Sequence, residues 1–238
     1  MKNLRTKIAV AINEAEVTNI LMKEVSLQQY EGVLAKINSK FLITKKYSGS
    51  TWWWTVYKET NSYGIHFPEG NAFEVLNELL PSDKKYWFVA SEENGKYWLY
   101  ESNIESIQWL IGNMHAFEYY IIDKKYEWIL CENHHNILIG VGQKIKEKLK
   151  AYEFKSRYYA EIEKAYKLKD HGLVLSLHNK TEKKTISTGE GIKIVCPDGS
   201  QIVSKVKGIV FKSGDILIGT DFSKEDFPTG SIVLLTSA

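Results

Sequence analysis

The chain has 238 residues, enough for one large domain or two small ones with separate cores. A hydrophobic content of 44% and a charged content of 25% are typical of a soluble globular protein, and a net charge of +2 gives no general preference for nucleic acid or membranes. Two cysteines are too few for a disulfide-stabilised secreted fold, and no apolar stretch approaches the ~20 residues that span a bilayer. We therefore expect a cytoplasmic protein with reduced thiols and no membrane association.

Charge and tryptophan are unevenly distributed along the chain. Through Val141 there are 14 basic and 17 acidic residues, whereas the remainder has 17 basic and 12 acidic residues. All seven tryptophans lie at or before Trp128. These asymmetries predict two modules with a boundary shortly after residue 141. Together with the element patterns described below, they divide the chain into an α+β domain at residues 1–142, a helical connector at 143–170 and a small β-barrel domain at 171–238.

The first predicted domain begins with two amphipathic helices, one from Leu4 to Ile12 and one that starts at a Ser26/Gln29 capping box and ends near Phe41. The run Trp52–Tyr57 then reads as a strand, in which neighbouring side chains point to opposite faces. An exposed Trp53 would be a candidate partner-binding residue, because tryptophan is enriched at interface hot spots. The favoured alternative is that a helix covers this side of the sheet, as is usual in mixed domains.

Strands and short turns alternate in the rest of this domain. Strands are predicted at Tyr86–Ala90 and Tyr97–Tyr100 around an Asn94-Gly95 turn, followed by a helix with a Ser102/Glu105 capping box and strands at Tyr119–Ile122, Tyr126–Cys131 and Ile137–Val141. Short connections favour an antiparallel meander. The fold class is therefore α+β, an antiparallel sheet covered by helices on at least one face.

The connector, residues 143–170, is rich in lysine. Ile145, Leu149 and Tyr152, and then Tyr158, Ile162 and Tyr166, recur at helical spacing and predict one long helix or two stacked helices. A basic stripe that binds nucleic acid is one interpretation, but the interleaved acidic residues favour a solvated helix face. Beyond His171, short β-type runs separated by turn signals predict a small closed or nearly closed barrel.

No catalytic signature for nucleotide, ester or zinc-peptidase chemistry occurs in the sequence. The densest cluster is Cys131-Glu132-Asn133-His134-His135, whose thiol and imidazoles are zinc-type ligands or a thiolate–imidazole pair. A closed zinc site needs four ligands, and no second ligand pair follows. We favour a tight turn in which Asn133 or Asn136 is left-handed and His134 and His135 hydrogen-bond the backbone or face a partner. No metal or cofactor is predicted.

The segment EYYIIDKKYEWILCENHHNILIGVG, at Glu118–Gly142, and the preceding strand–turn–strand pattern resemble a family of uncharacterised bacterial proteins over roughly residues 1–150. Many such proteins are similar to immunity proteins, with α+β domains akin to the SUKH-type superfamily. The tail, with ISTGEGIKI at Ile186–Ile194 and FPTGSIVLL at Phe227–Leu235, resembles more loosely the second-domain β-barrel of elongation factor Tu, without the GTPase domain that accompanies it there. These resemblances imply an immunity-type protein with a barrel used for docking. They supply no catalytic residues.

We therefore predict a non-enzymatic, cytoplasmic protein that binds a protein partner and neutralises a bacterial toxin by occlusion, with Trp53, His134 and His135 as candidate contacts. Two alternatives stay open. One is a metal- or thiol-dependent enzyme centred on Cys131, His134 and His135, and the other is a nucleic-acid-binding protein that uses the basic connector.

Overall fold

A computed structural model describes residues 3–15, 20–43, 52–58, 62–92, 96–114, 117–169, 171–182 and 184–236. The chain divides into two compact units, Met1–Ala151 and Tyr152–Ala238. Each unit contains one seven-stranded antiparallel sheet, and helices accompany the first, so the fold class is α+β. Among the residues that the structure describes, no helix is both long enough and apolar enough to span a bilayer.

Among the described residues, the first unit contains seven strands and most of the helices, the last of which continues past Ala151 into the second unit. In chain order these are α1 (Leu4–Glu14), β1 (Met22–Glu24), α2 (Leu27–Phe41), β2 (Tyr63–His66), α3 (Leu76–Leu79), β3 (Lys85–Glu92), β4 (Lys96–Asn103), α4 (Ile104–Gly112), β5 (Tyr119–Asp123), β6 (Ile129–Glu132), β7 (Ile137–Val141) and α5 (Gln143–Arg157). The sheet order is β1-β4-β3-β5-β6-β7-β2. The predicted antiparallel meander is confirmed for β5, β6 and β7. The predicted Asn94-Gly95 turn lies outside the described residues.

Side-chain alternation determines which face of the sheet each residue occupies. In β5, Tyr120 and Ile122 belong to a buried cluster that also contains the predicted apolar face of α2 (Val33, Leu34, Ile37 and Phe41). Tyr119 and Ile121 are equally buried, and alternation places them on the opposite face. The backbone of Gly140 in β7 approaches α5 so closely that a Cβ atom there would lie 2.6 Å from Leu149 Cδ1.

Neither predicted capping box forms. The Ser26 side chain makes no capping hydrogen bond to α2. At α4 the cap is Asn103, whose Oδ1 accepts a hydrogen bond from Ser106 N at 3.1 Å. The reason is that β4 continues through Asn103, so Ser102 is still paired with Tyr86 of β3 when the strand ends.

The predicted connector is wrong in its second half. Helix α5 ends at Arg157, and the chain continues directly as strand β8 (Tyr158–Leu168) of the second sheet. A spacing of four residues is shared by a helix face and a strand face, because a strand repeats every two residues. Tyr158, Ile162 and Tyr166 therefore fit both patterns. The boundary between the units lies inside α5.

The second unit consists mainly of strands. They are β8, β9 (Gly172–His178), β10 (Gly191–Val195), β11 (Gln201–Lys205), β12 (Gly208–Ile209), β13 (Ile216–Ile218) and β14 (Ile232–Leu235), arranged in the order β11-β10-β14-β8-β9-β13-β12. Its core includes Ile162, Leu175, Ile194, Phe227 and Val233. Between β11 and β12, Val206 N donates to Glu190 O and Lys207 N donates to Leu217 O.

Candidate functional site

The tryptophan run does not form the predicted strand. Residues Trp53–Val56 form a 3₁₀ helix, in which successive side chains are separated by about a third of a turn. The Trp53 side chain is only 1% exposed, and its ring centroid lies 4.5 Å from that of Tyr97 and 4.7 Å from that of Tyr120. The prediction that Trp53 contacts a partner is therefore wrong, because the tight helical turn directs this ring into the core.

The neighbours of Trp53 form an aromatic patch with the two histidines. The Trp52 side chain is 42% exposed. The ring centroid of His134 lies 4.9 Å from Trp52, 5.8 Å from Trp54 and 4.1 Å from His135. We name Trp52, Trp54, His134 and His135 the Trp–His surface. It brings together two of the three predicted contact residues, both exposed, with two residues that were not predicted.

A tight turn holds the histidines in this position. Asn133 is buried, and its Oδ1 accepts hydrogen bonds from His135 N at 3.0 Å and Ile137 N at 3.1 Å. Asn136 has a φ of 56°, so the prediction of a left-handed asparagine is confirmed at this residue. The turn between β6 and β7 thus fixes the backbone and leaves both imidazoles at the surface.

Glu118 joins the tryptophans to the turn. Its Oε1 accepts hydrogen bonds from Trp54 Nε1 at 3.2 Å and from His134 N at 3.3 Å, and it lies 2.7 Å from His134 Nδ1. An ionised carboxylate only accepts, so the imidazole carries a proton on Nδ1 in this contact. The Glu118 side chain is only 10% exposed. Its second oxygen, Oε2, is buried and has no hydrogen-bond partner in the part of the chain that the structure describes.

A pocket of about 220 Å³ lies beside the Trp–His surface. Its wall includes Glu118, Glu132 and His134 together with the apolar side chains of Phe73 and Phe117. The Tyr119 hydroxyl donates to Glu132 Oε2 at 2.6 Å, while burial raises the pKa of the Glu132 carboxyl. Two carboxyl groups in one small, partly apolar pocket favour a cationic occupant.

Cys131 does not join the histidines. It is fully buried in the cluster that contains α2, because strand alternation turns it away from Glu132. Burial raises the pKa of the Cys131 thiol well above its usual value, and the charges of Glu118 and Glu132 act in the same direction. The thiol is therefore protonated at neutral pH and a poor nucleophile. No group of three or more residues suited to holding a metal ion occurs among the described residues.

The basic connector does not form one continuous stripe. Lys146 is buried, Lys144 pairs with Glu127, and Lys148 Nζ donates to Leu79 O at 2.6 Å. Lys164 and Lys167 lie on β8 rather than on a helix. The basic residues of the predicted connector are therefore divided between helix α5 and strand β8, and the nucleic-acid alternative stays a prediction.

Fold and surface together define the class: an α+β protein whose first unit presents an aromatic and histidine surface beside an acidic pocket. The chain belongs to a family of unknown function, DUF6756, whose model matches residues 1–153. No curated protein and no solved structure matches the chain.

Sequence reasoning missed Trp52, Trp54 and Glu118. The signal for the two tryptophans was in the WWW run, but a strand and a 3₁₀ helix place its members differently. Glu118 had no local signal, because its role depends on the β6–β7 turn and on the tryptophans, which are distant in sequence.

Proposed function

We propose that this protein binds a protein partner through the Trp–His surface and that the partner places a basic side chain in the adjacent pocket, whose wall includes Glu118. The observation that carries this proposal is Glu118, whose Oε2 is buried and has no hydrogen-bond partner among the described residues. A buried acceptor without a partner costs about 1–3 kcal/mol, more when charged. A lysine or arginine of the partner would recover that energy with a charge-assisted hydrogen bond.

The exposed rings supply the other part of the interface. Binding energy in protein interfaces is concentrated in a few aromatic and arginine anchors surrounded by weaker contacts. Trp52 is well placed as an anchor, because its ring is packed against His134 and yet 42% exposed. The hydrogen-bonded turn and Glu118 hold these rings before binding, which reduces the entropy that association must overcome.

We further propose that the partner is a bacterial toxin that the protein neutralises by occlusion in the cytoplasm. The resemblance of residues 1–150 to SUKH-type immunity proteins supports this choice.

We also propose that the second sheet closes into a barrel, because the segment from β11 to β12 is hydrogen-bonded to β10 at one end and to β13 at the other. The loose resemblance to the elongation-factor barrel suggests that this unit serves docking.

The test is affinity purification from the native host with wild-type protein and three variants. A partner that wild type captures should be lost with Trp52→Ala and Glu118→Gln and retained with Leu27→Ala, which removes another exposed apolar side chain (90% exposed) from the first unit. We expect Trp52→Ala to weaken the purified complex by about 30-fold, the effect of a 2 kcal/mol hot spot. Equal capture by all four proteins would contradict the proposal, and so would a captured partner with no basic residue at the contact.

A further inference from the structure

A second pocket in the first unit has the opposite charge. It has a volume of about 430 Å³ and lies where the segment before β3, the β5–β6 turn and the start of α5 meet. Six lysines line it: Lys84, Lys85, Lys124, Lys125, Lys144 and Lys148. We name it the lysine pocket. Among the described residues that line it, Asp123 and Glu127 are the acidic ones.

Both of these carboxylates are already engaged. Asp123 Oδ1 accepts hydrogen bonds from the backbone N–H groups of Glu127 and Trp128, and its Oδ2 accepts one from Lys125 N at 3.0 Å. Asp123 therefore caps the β5–β6 turn. Glu127 is paired with Lys144.

Three of the lysines retain charge that no described carboxylate neutralises by an ion pair. Lys84 and Lys125 are exposed, and in the described ranges neither is in ion-pair contact with a carboxylate, although the charge of Glu127 acts on both at longer range. Lys148 donates to a backbone carbonyl, Leu79 O, which carries no net charge. Burial is the main cause that lowers the pKa of Lys148, and the neighbouring charge of Lys84 acts in the same direction. Of the other three lysines, Lys85 and Lys124 share Glu101, and Lys144 pairs with Glu127.

The pocket also has an aromatic wall. Tyr86 and Trp128 line it, with their ring centroids 5.8 Å apart, and both side chains are largely buried. Lysine side chains act as mobile point charges and are common ligands of phosphoryl groups. A concave volume of this size fits a small molecule.

We propose that the lysine pocket binds a small phosphorylated ligand, with its phosphoryl oxygens at Lys84, Lys125 and Lys148 and its apolar or ring portion against Trp128. The described linings of this site and of the pocket beside the Trp–His surface share no residue. The two proposals therefore succeed or fail independently.

The test is calorimetric titration of the full chain with inorganic pyrophosphate and with a nucleoside diphosphate at low salt. The double variant Lys84→Gln/Lys125→Gln should weaken binding of both probes at least about tenfold, since each lost charge-assisted contact is worth that much. The control Lys23→Gln/Lys40→Gln makes the same change in net charge at exposed positions of β1 and α2 and should bind as wild type does. If the double variant fails to fold, Lys84→Gln alone should give a smaller loss in the same direction.

Three results would overturn this proposal. The first is the absence of heat of binding with either probe. The second is an equal loss in the control variant, which would indicate a general charge effect. The third is tighter binding of a short oligonucleotide than of either probe with the same sensitivity to Lys84 and Lys125, which would indicate a nucleic-acid surface instead.

Discussion

Adjacent tryptophans in this protein should have opposite roles, and Trp53→Ala compared with Trp52→Ala tests this directly. Trp53 is 1% exposed and lies between the rings of Tyr97 and Tyr120. Truncation of a fully buried tryptophan costs about 3–5 kcal/mol. Trp52 is 42% exposed, so the apolar area that Trp52→Ala loses is smaller and we expect a cost of about 1–2 kcal/mol.

Urea unfolding followed by tryptophan fluorescence measures these losses of stability in the first structural unit. All seven tryptophans lie at or before Trp128, so the signal reports the first unit without interference from the second. With an m-value of about 2 kcal/mol/M, a loss of about 4 kcal/mol lowers the urea midpoint by roughly 2 M. The midpoint of Trp52→Ala should fall by less than about 1 M.

Trp53→Ala should therefore impair the fold, whereas Trp52→Ala should impair partner capture in a folded protein. Equal midpoints for the two variants would refute the assignment of Trp53 to the core. A Trp53→Ala midpoint within experimental error of wild type would refute it as well. Trp53→Phe provides a further check, because it keeps an aromatic ring between Tyr97 and Tyr120 and should recover part of the lost stability.

Three further predictions concern backbone, charge and thiols. Gly142 has a φ of 102°, and a Cβ atom there would meet the Glu127 carbonyl, so Gly142→Ala should lower the free energy of unfolding by at least about 2 kcal/mol. Gly32 lies in α2 with open space around it, so Gly32→Ala should raise the free energy of unfolding by about 0.5–1 kcal/mol. Equal effects of the two variants in urea unfolding would contradict this prediction. Because burial raises the pKa of Glu132 in the folded state, the free energy of unfolding should fall as pH rises through that raised pKa. Glu132→Gln should remove this decrease. A variant with the same pH dependence of unfolding as wild type would count against this role of Glu132. Cys131 and Cys196 are buried, so neither should react with a thiol reagent at pH 7 before the protein unfolds; rapid labelling of one thiol in native protein would disprove their burial.

Several features of this protein follow from local sequence. The β5–β7 meander was predictable because short connections between apolar runs leave antiparallel pairing as the only compact arrangement. The left-handed Asn136 was predictable because asparagine tolerates that conformation in a turn. The apolar face of α2 followed from its helical spacing. In each case the physical cause lies within a few residues of the feature.

Other features required the tertiary structure. The spacing in Tyr158–Tyr166 suits a helix and a strand equally, and pairing with β9 and β14 decides for the strand. Trp53 is buried and Trp52 exposed because the chain turns as a 3₁₀ helix against Tyr97 and Tyr120. Glu118 gains its role only when its carboxylate meets Trp54, 64 residues away in sequence, and His134. The sequence alone determined the residue types of the candidate site, whereas long-range packing decided which of them reach the surface.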